Sequence, residues 1–469
     1  MNRLRILALA LATLGASACT TLAPDYQRPA APVPAAWDGA AAGEPAAAEP
    51  AAADIAWREY FADERLRRVI ELALEHNRDL RVAALNIEQA RAQYRIQRAD
   101  QFPSLGVTAS QNAQRVPGDL NSSGQSMVSR QYGVSAGIAS WELDFFGRVR
   151  SLRDAALEQY LASEEAHRSA RIALVAETAT AWLQLAADRE RLELARGTLE
   201  TRRKAFELTQ ASFEAGAVSA LDLRQTQGEM ERARADVAAF SASAARASNA
   251  LALLAGNSLS SELLPAKFDI TVTRVAELPA GVPAEALTSR PDILAAEHRL
   301  RAANANIGAA RAAFFPRITL TASAGTASAE LGGLFESGSR AWSFMPQLSL
   351  PIFEAGRLAA SLDVAEVRRD IAVAEYERAI QGAFREVADA LAERGTLGEE
   401  LDARQMLLAA ARESHRLSGA RYQAGVDSFL VLLDAQRTLY AAEQELIATR
   451  LAEAANRVTV YKVLGGGWQ

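Results

Sequence analysis

Arg311-Ala312-Ala313-Phe314-Phe315-Pro316-Arg317-Ile318-Thr319-Leu320-Thr321-Ala322-Ser323 reads as a helix end running into a strand, and the chain contains this passage twice. Helical spacing leads into it and stops at Pro316; beyond the proline, apolar and small polar residues alternate. The counterpart is Arg98-Ala99-Asp100-Gln101-Phe102-Pro103-Ser104-Leu105-Gly106-Val107-Thr108-Ala109-Ser110. The match reaches back through Leu74 and Leu287, Asp79 and Asp292, Ala83 and Ala296, and Ala90 and Ala303, at a constant offset of 213. Further on, Gly147-Arg148, Asp154, Glu177, Gly216, Ser219, Leu221, Leu223, Gln227 and Gly256 recur as Gly356-Arg357, Asp363, Glu386, Gly425, Ser428, Leu430, Leu432, Gln436 and Gly465, at 209. A period this long is no short solenoid repeat; one large unit is used twice.

Each unit changes period from helical to strand-like and back. Residues 65–101 carry helical spacing without Pro or Gly. Leu105, Val107 and Ala109 then alternate with small polar residues, residues 117–124 form a Gly/Ser/Asn-rich loop, and Tyr132, Val134, Ala136 and Ile138 alternate again. The second unit does the same with Ile318, Leu320 and Ala322, then with Trp342, Phe344, Leu348 and Leu350. Runs of about ten residues match the length of a tilted strand crossing a bilayer. The intervening positions are small and polar but uncharged, as a water-filled lumen opposite a lipid face requires, although half-buried hairpins of a soluble domain would also alternate. Four strands cannot close a barrel, and lipid tolerates no open edge, so several copies must share one. After each hairpin an uninterrupted helical pattern runs from Gly147-Arg148 to about Phe213 and from Arg357 to about Tyr422. About 66 residues span roughly 100 Å, longer than a globular domain needs. Both runs end at a glycine, Gly216 or Gly425, with Ser219 or Ser428 set to cap the next helix.

This pattern gives a mainly α chain with membrane β-structure, built from a duplicated unit. Residues 1–18 form a signal peptide, 19–64 an anchor and extended strap, and 65–256 the first repeat, with β-hairpin 103–144 and helical hairpin 148–256. Residues 257–284 bridge to a second repeat at 285–465, with β-hairpin 317–353 and helical hairpin 357–464; 466–469 are a tail. Arg3 and Arg5 precede a short apolar stretch at 6–14, and Ala16-Ser17-Ala18 leads to Cys19, the only cysteine. One cysteine at the cleavage point resembles a bacterial lipobox, although Ala16 stands where Leu is usual; an ordinary cleaved signal is the other reading. A net charge of −6 leaves no basic footprint for nucleic acid, and no run of about twenty apolar residues offers a helical membrane span. The four histidines, His76, His167, His298 and His415, are scattered. With no second cysteine and no phosphate-cradling loop, neither an enzyme nor a metal site is expected.

Cys19, Pro291-Asp292, Ala310 to Pro316, Tyr422-Gln423-Ala424-Gly425-Val426-Asp427-Ser428, Leu433-Asp434-Ala435-Gln436-Arg437 and Gly465-Gly466-Gly467-Trp468 occur in the order found in outer-membrane efflux proteins. Over nearly the whole mature chain the sequence resembles the TolC superfamily, and within it the lipidated OprM-type branch. The resemblance implies a homotrimer whose three chains supply a 12-stranded outer-membrane β-barrel continuous with a periplasmic α-helical barrel. It implies a passive exit channel for drugs and other toxic small molecules in a tripartite system, with a periplasmic adaptor and an inner-membrane RND-type pump as partners. Cys19 would carry N-acyl and diacylglycerol lipid, with no other cofactor. Carried over by position, Leu430 forms an apolar constriction and Asp434 a ring of three carboxylates, with Arg437 and Tyr422 at gate-locking positions. A plain alternative for Asp434 is a solvated carboxylate paired with Arg437 at i+3. In the first unit Leu221 matches Leu430, whereas Gln225 stands where the second unit has Asp434. The tips Gly216-Ala217-Val218-Ser219 and Gly425-Val426-Asp427-Ser428 would dock the adaptor. Two other functions fit less well: the exit duct of a type I protein-secretion system, and a structural envelope lipoprotein, which has no use for four alternating strands.

Overall fold

The structure is a computed structural model that describes residues 21–34, 54–122, 124–265, 268, 273 and 284–467. The lipidation position Cys19, the C-terminal Trp468 and most of the 257–284 bridge lie outside the described residues. In chain order the elements are α1 (Trp57–Tyr60), α2 (Glu64–His76), α3 (Arg78–Ala99), β1 (Leu105–Val116), β2 (Met127–Leu143), α4 (Arg148–Glu214) and α5 (Ala220–Ala255). The second repeat follows with α6 (Pro291–Ala312), β3 (Arg317–Ser328), β4 (Arg340–Ser349), α7 (Arg357–Gln423) and α8 (Phe429–Val463). The long helices α4 and α7 have 67 residues each.

The helical stretch at 65–101 is not one helix. It breaks at Asn77, whose side-chain oxygen accepts from Leu80 N–H at 2.9 Å and whose amide donates to the Leu254 carbonyl at 3.0 Å. Asn competes well for backbone groups at a helix start, so it restarts the helix without Pro or Gly. Helix α5 raises a different point. Its alanines make it long and apolar enough, by length and composition alone, to match a membrane span.

All four strands form one antiparallel sheet in the order β1-β2-β3-β4. Val107 pairs with Ala136, Ala136 with Ala324, and Ala324 with Trp342, which makes one face apolar. One residue along, Thr108, Ser135, Gly325 and Ala341 pair in the same way, so that the other face carries small residues, half of them here polar. A bulge between Ile138 and Trp141, with Ser140 at φ 52°, puts Trp141 opposite Leu320. Because Ile138 and Trp141 are three apart, they would point to opposite faces without the extra residue; the bulge keeps the apolar face continuous. At the foot of the sheet Arg148 makes a bidentate pair with Glu142 (2.9 and 2.7 Å), and Arg317 reaches the same carboxylate at 2.6 Å.

The chain divides into two compact units that cut across the repeats. One comprises residues 1–30, 86–164 and 295–377; it holds the sheet, the adjoining helix ends and the first part of the strap. The strap lies on α6, where Tyr26 (3.1 Å) and Arg28 (3.1 and 2.6 Å) donate to Glu297. The other unit comprises 31–85, 165–294 and 378–469. Its core is centred on Trp57, Trp182, Tyr60 and Tyr461, all fully buried. Tyr60 stacks on Tyr461 at 3.9 Å, and Tyr461 donates to the Ile55 carbonyl at 2.6 Å.

Candidate functional site

The residues carried over as gate and tips all fall in the second compact unit, where α4 turns into α5 and α7 into α8. The two turns share a backbone. Gly216 (φ 74°) and Gly425 (φ 70°) are left-handed, and the next residues reach back five, Ala217 N–H to Ser212 O at 2.8 Å and Val426 N–H to Arg421 O at 2.9 Å. This is the glycine-dependent helix stop that the sequence spacing implies.

The side chains around the two turns differ. Ser219 makes a capping box with Asp222: its hydroxyl accepts from Asp222 N–H at 3.2 Å, and its own N–H donates to the Asp222 carboxylate at 3.1 Å. Ser428, in the matching place, makes no side-chain cap. Val431 stands where Asp222 would be needed, so the second cap expected from the sequence does not form. That turn is held instead by Arg421, which grips Asp427 in a bidentate pair at 2.6 and 2.8 Å. The Asp427 carboxyl is thereby held below its ordinary range by the hydrogen-bonded guanidinium.

Two residues beyond the second tip, Leu430 is 56 % exposed. Tyr422 is also exposed, with its ring 5.7 Å from that of Phe429. Asp434 is exposed too, and among the described residues it has no ion-pair partner. The pairing of Asp434 with Arg437 does not occur. Arg437 points the other way, donating to Glu229 of α5 from Nε at 2.9 Å and Nη2 at 2.5 Å. The opposite oxygen of Glu229 receives Arg202 of α4, and Arg202 and Glu229 are both nearly inaccessible, at 8 % and 4 % side-chain exposure. Burial opposes ionisation of Glu229, but Arg437, Arg202 and Arg232 outweigh it and hold the carboxyl below its usual value. Nearby, Tyr440 of α8 donates to Asp236 of α5 at 3.2 Å, and burial with that carboxylate pushes its hydroxyl up to about 12. Three helices are thus tied at one carboxylate.

In the sequence Glu229 and Arg202 look like ordinary helix-surface charges, and neither is among the expected site residues. A signal was present in the duplication: Arg202, Gly228 and Glu229 stand against Ala411, Arg437 and Thr438, so neither repeat could build the cluster alone. Among the described residues no group of His, Cys, Asp or Glu is arranged to hold a metal ion.

Two tips, an exposed apolar and acidic turn, and a sheet with one apolar and one small polar face occur in a chain that matches the family model for outer membrane efflux proteins over residues 69–257 and 282–466. The chain belongs to the outer membrane efflux protein family. The OprJ outer membrane protein of Pseudomonas aeruginosa is 49 % identical over 456 residues, 97 % of this chain and 94 % of that one. The toluene efflux pump outer membrane protein TtgC of Pseudomonas putida is 47 % identical over 464 residues, 99 % of this chain and 96 % of its own length. The open-state crystal structure of the MtrE outer membrane channel of Neisseria gonorrhoeae superposes with a TM-score of 0.86 at 41 % identity, covering 96 % of this chain and 99 % of that one. This efflux protein is therefore an outer-membrane exit channel with the duplicated α/β channel fold.

Proposed function

We propose that this channel works as a homotrimer, the three sheets closing one twelve-stranded barrel, and that it conducts apolar and amphipathic small molecules delivered by an RND-type pump through a periplasmic adaptor. The observation that carries the assembly is the pair of open edges on a two-faced sheet: β1 and β4 each have one neighbour, and lipid tolerates neither edge unpaired. Three such sheets supply a polar inner face and an apolar outer face. The toluene pump to which the TtgC relative belongs favours apolar cargo.

In this reading Leu430 and Asp434 line the constriction, Asp434 having no ion-pair partner among the described residues so that three copies form an acidic ring. Arg437 and Tyr422 hold the helix that carries them, Arg437 through Glu229. The tips Gly216 to Ser219 and Gly425 to Ser428 receive the adaptor, and lipid on Cys19 anchors the chain. Single-channel recording in planar bilayers tests the gate: Leu430→Ala with Asp434→Ala raises the closed-state conductance several-fold, and an unchanged conductance removes these residues from the gate. Labelled palmitate incorporated by the wild type and lost in Cys19→Ser tests the anchor.

A further inference from the structure

In the second compact unit a cavity of about 360 Å³ opens where α2 meets α3 against α4, with Arg81, Ala84, His167 and Arg171 in its wall. Elsewhere on α4 several arginines are held by carboxylates, as Arg168 is by Glu165, Arg191 by Asp188 and Arg203 by Glu207. Among the described residues Arg81 and Arg171 have no such partner, and the Nε of Arg171 is buried without any hydrogen bond. Among the described residues Glu75 is the one carboxylate in the wall, and it lies 3.7 Å from His76. Burial, and then the neighbouring Arg171 one helical turn away, depress the proton affinity of His167, and among the described residues no carboxylate pairs with either group. An unpaired guanidinium facing an imidazole in a half-buried groove is costly unless an anion visits it.

The duplication shows what such a groove holds. Ala84, His167 and Arg171 correspond to Glu297, Tyr376 and Ile380 in the second repeat. There the groove is filled: Glu297 receives Arg28 and Tyr26 of the strap, Arg301 joins at 2.7 Å, and Tyr376 is fully buried. The second repeat thus offers a carboxylate to a cationic strap. The first repeat has lost that carboxylate and gained three nitrogen bases. We propose that the first-repeat groove is an oxyanion site that seats a carboxylate or phosphate group between Arg81, His167 and Arg171.

The anion has two possible sources. One is soluble phosphate. The other is the chain's own residues 35–53, in which Asp38, Glu44 and Glu49 are the only charged residues. Full-length protein in detergent, carbon-13 labelled at histidine Cε1, gives four resonances that single His→Gln variants assign. Replacing chloride by phosphate at constant ionic strength raises the His167 titration midpoint by about one unit, as an added counter-charge does. The Arg171→Gln and Arg81→Gln variants, checked for folding by circular dichroism, lose that response. If the linker is the source, phosphate changes little, and the triple variant Asp38→Asn, Glu44→Gln, Glu49→Gln lowers the midpoint instead. A His167 midpoint that moves with neither phosphate nor the linker carboxylates, or a phosphate response that survives both arginine substitutions, overturns the site.

Discussion

Glu229 joins three helices with one carboxylate, and its protonation state decides whether Arg202 and Arg437 are satisfied. Replacing it by Gln keeps the shape and removes the charge, leaving Arg202 buried without a counter-ion. Breaking a buried pair this way costs about 3–5 kcal/mol, and the lower figure fits here because Arg437 is 42 % exposed. The Glu229→Gln variant should therefore conduct more in planar bilayers at pH 7 while retaining its oligomer on gels. The wild type should reach the same state through acid. The Glu229 carboxyl lies below its ordinary value of 4.5, so the clasp is complete above that pH and is lost as pH falls through the depressed value. Conductance that rises more on acidification below about pH 4.5 in the wild type than in Glu229→Gln is the expected pattern. A wild-type channel indifferent to acid would detach Glu229 from gating.

Two helix starts that look alike in sequence separate at the level of the element. Ser219 and Ser428 occupy matched positions, but only Ser219 has an acidic residue three places on. The sequence therefore contained the distinction, in Asp222 against Val431, although matching the glycines and serines alone concealed it. Ser219→Ala should cost the start of α5 about 1 kcal/mol, and Ser428→Ala should leave α8 unchanged within about 0.5 kcal/mol. Hydrogen exchange at Leu221 to Leu223 and at Leu430 to Leu432 reads the two directly; equal loss of protection at both would refute the asymmetry. Asp427→Ala, which releases Arg421, should instead loosen the second tip. The break at Asn77 was less legible. One of its two side-chain contacts is to Leu254, 177 residues away, and periodicity records only near neighbours.

At the scale of the whole molecule, the duplication was plain in the sequence, but the division into compact units was not, because it follows strand pairing across the repeats. Alternation of apolar residues specified four strands and their faces. It could not specify which hairpin edges meet, since any two two-faced hairpins offer the same pattern. The seam is between β2 and β3, and its register is marked by glycines placed reciprocally. Gly137 of the first repeat pairs with Ser323, and Gly325 of the second with Ser135. A Cβ on Gly325 would run into the Val134 carbonyl oxygen and lie 2.6 Å from the Ser135 Cα, so the backbone itself would have to move. A Cβ on Gly106 of β1 would meet nothing within 4 Å. Overpacking at a rigid seam costs about 1–3 kcal/mol per chain, and closure of a shared barrel multiplies that by the number of copies. Gly325→Ala should accordingly abolish the heat-resistant oligomer on gels and reduce drug export in cells, whereas Gly106→Ala should leave both intact. If the two variants behave alike, the β2–β3 seam is not the joint on which barrel assembly depends.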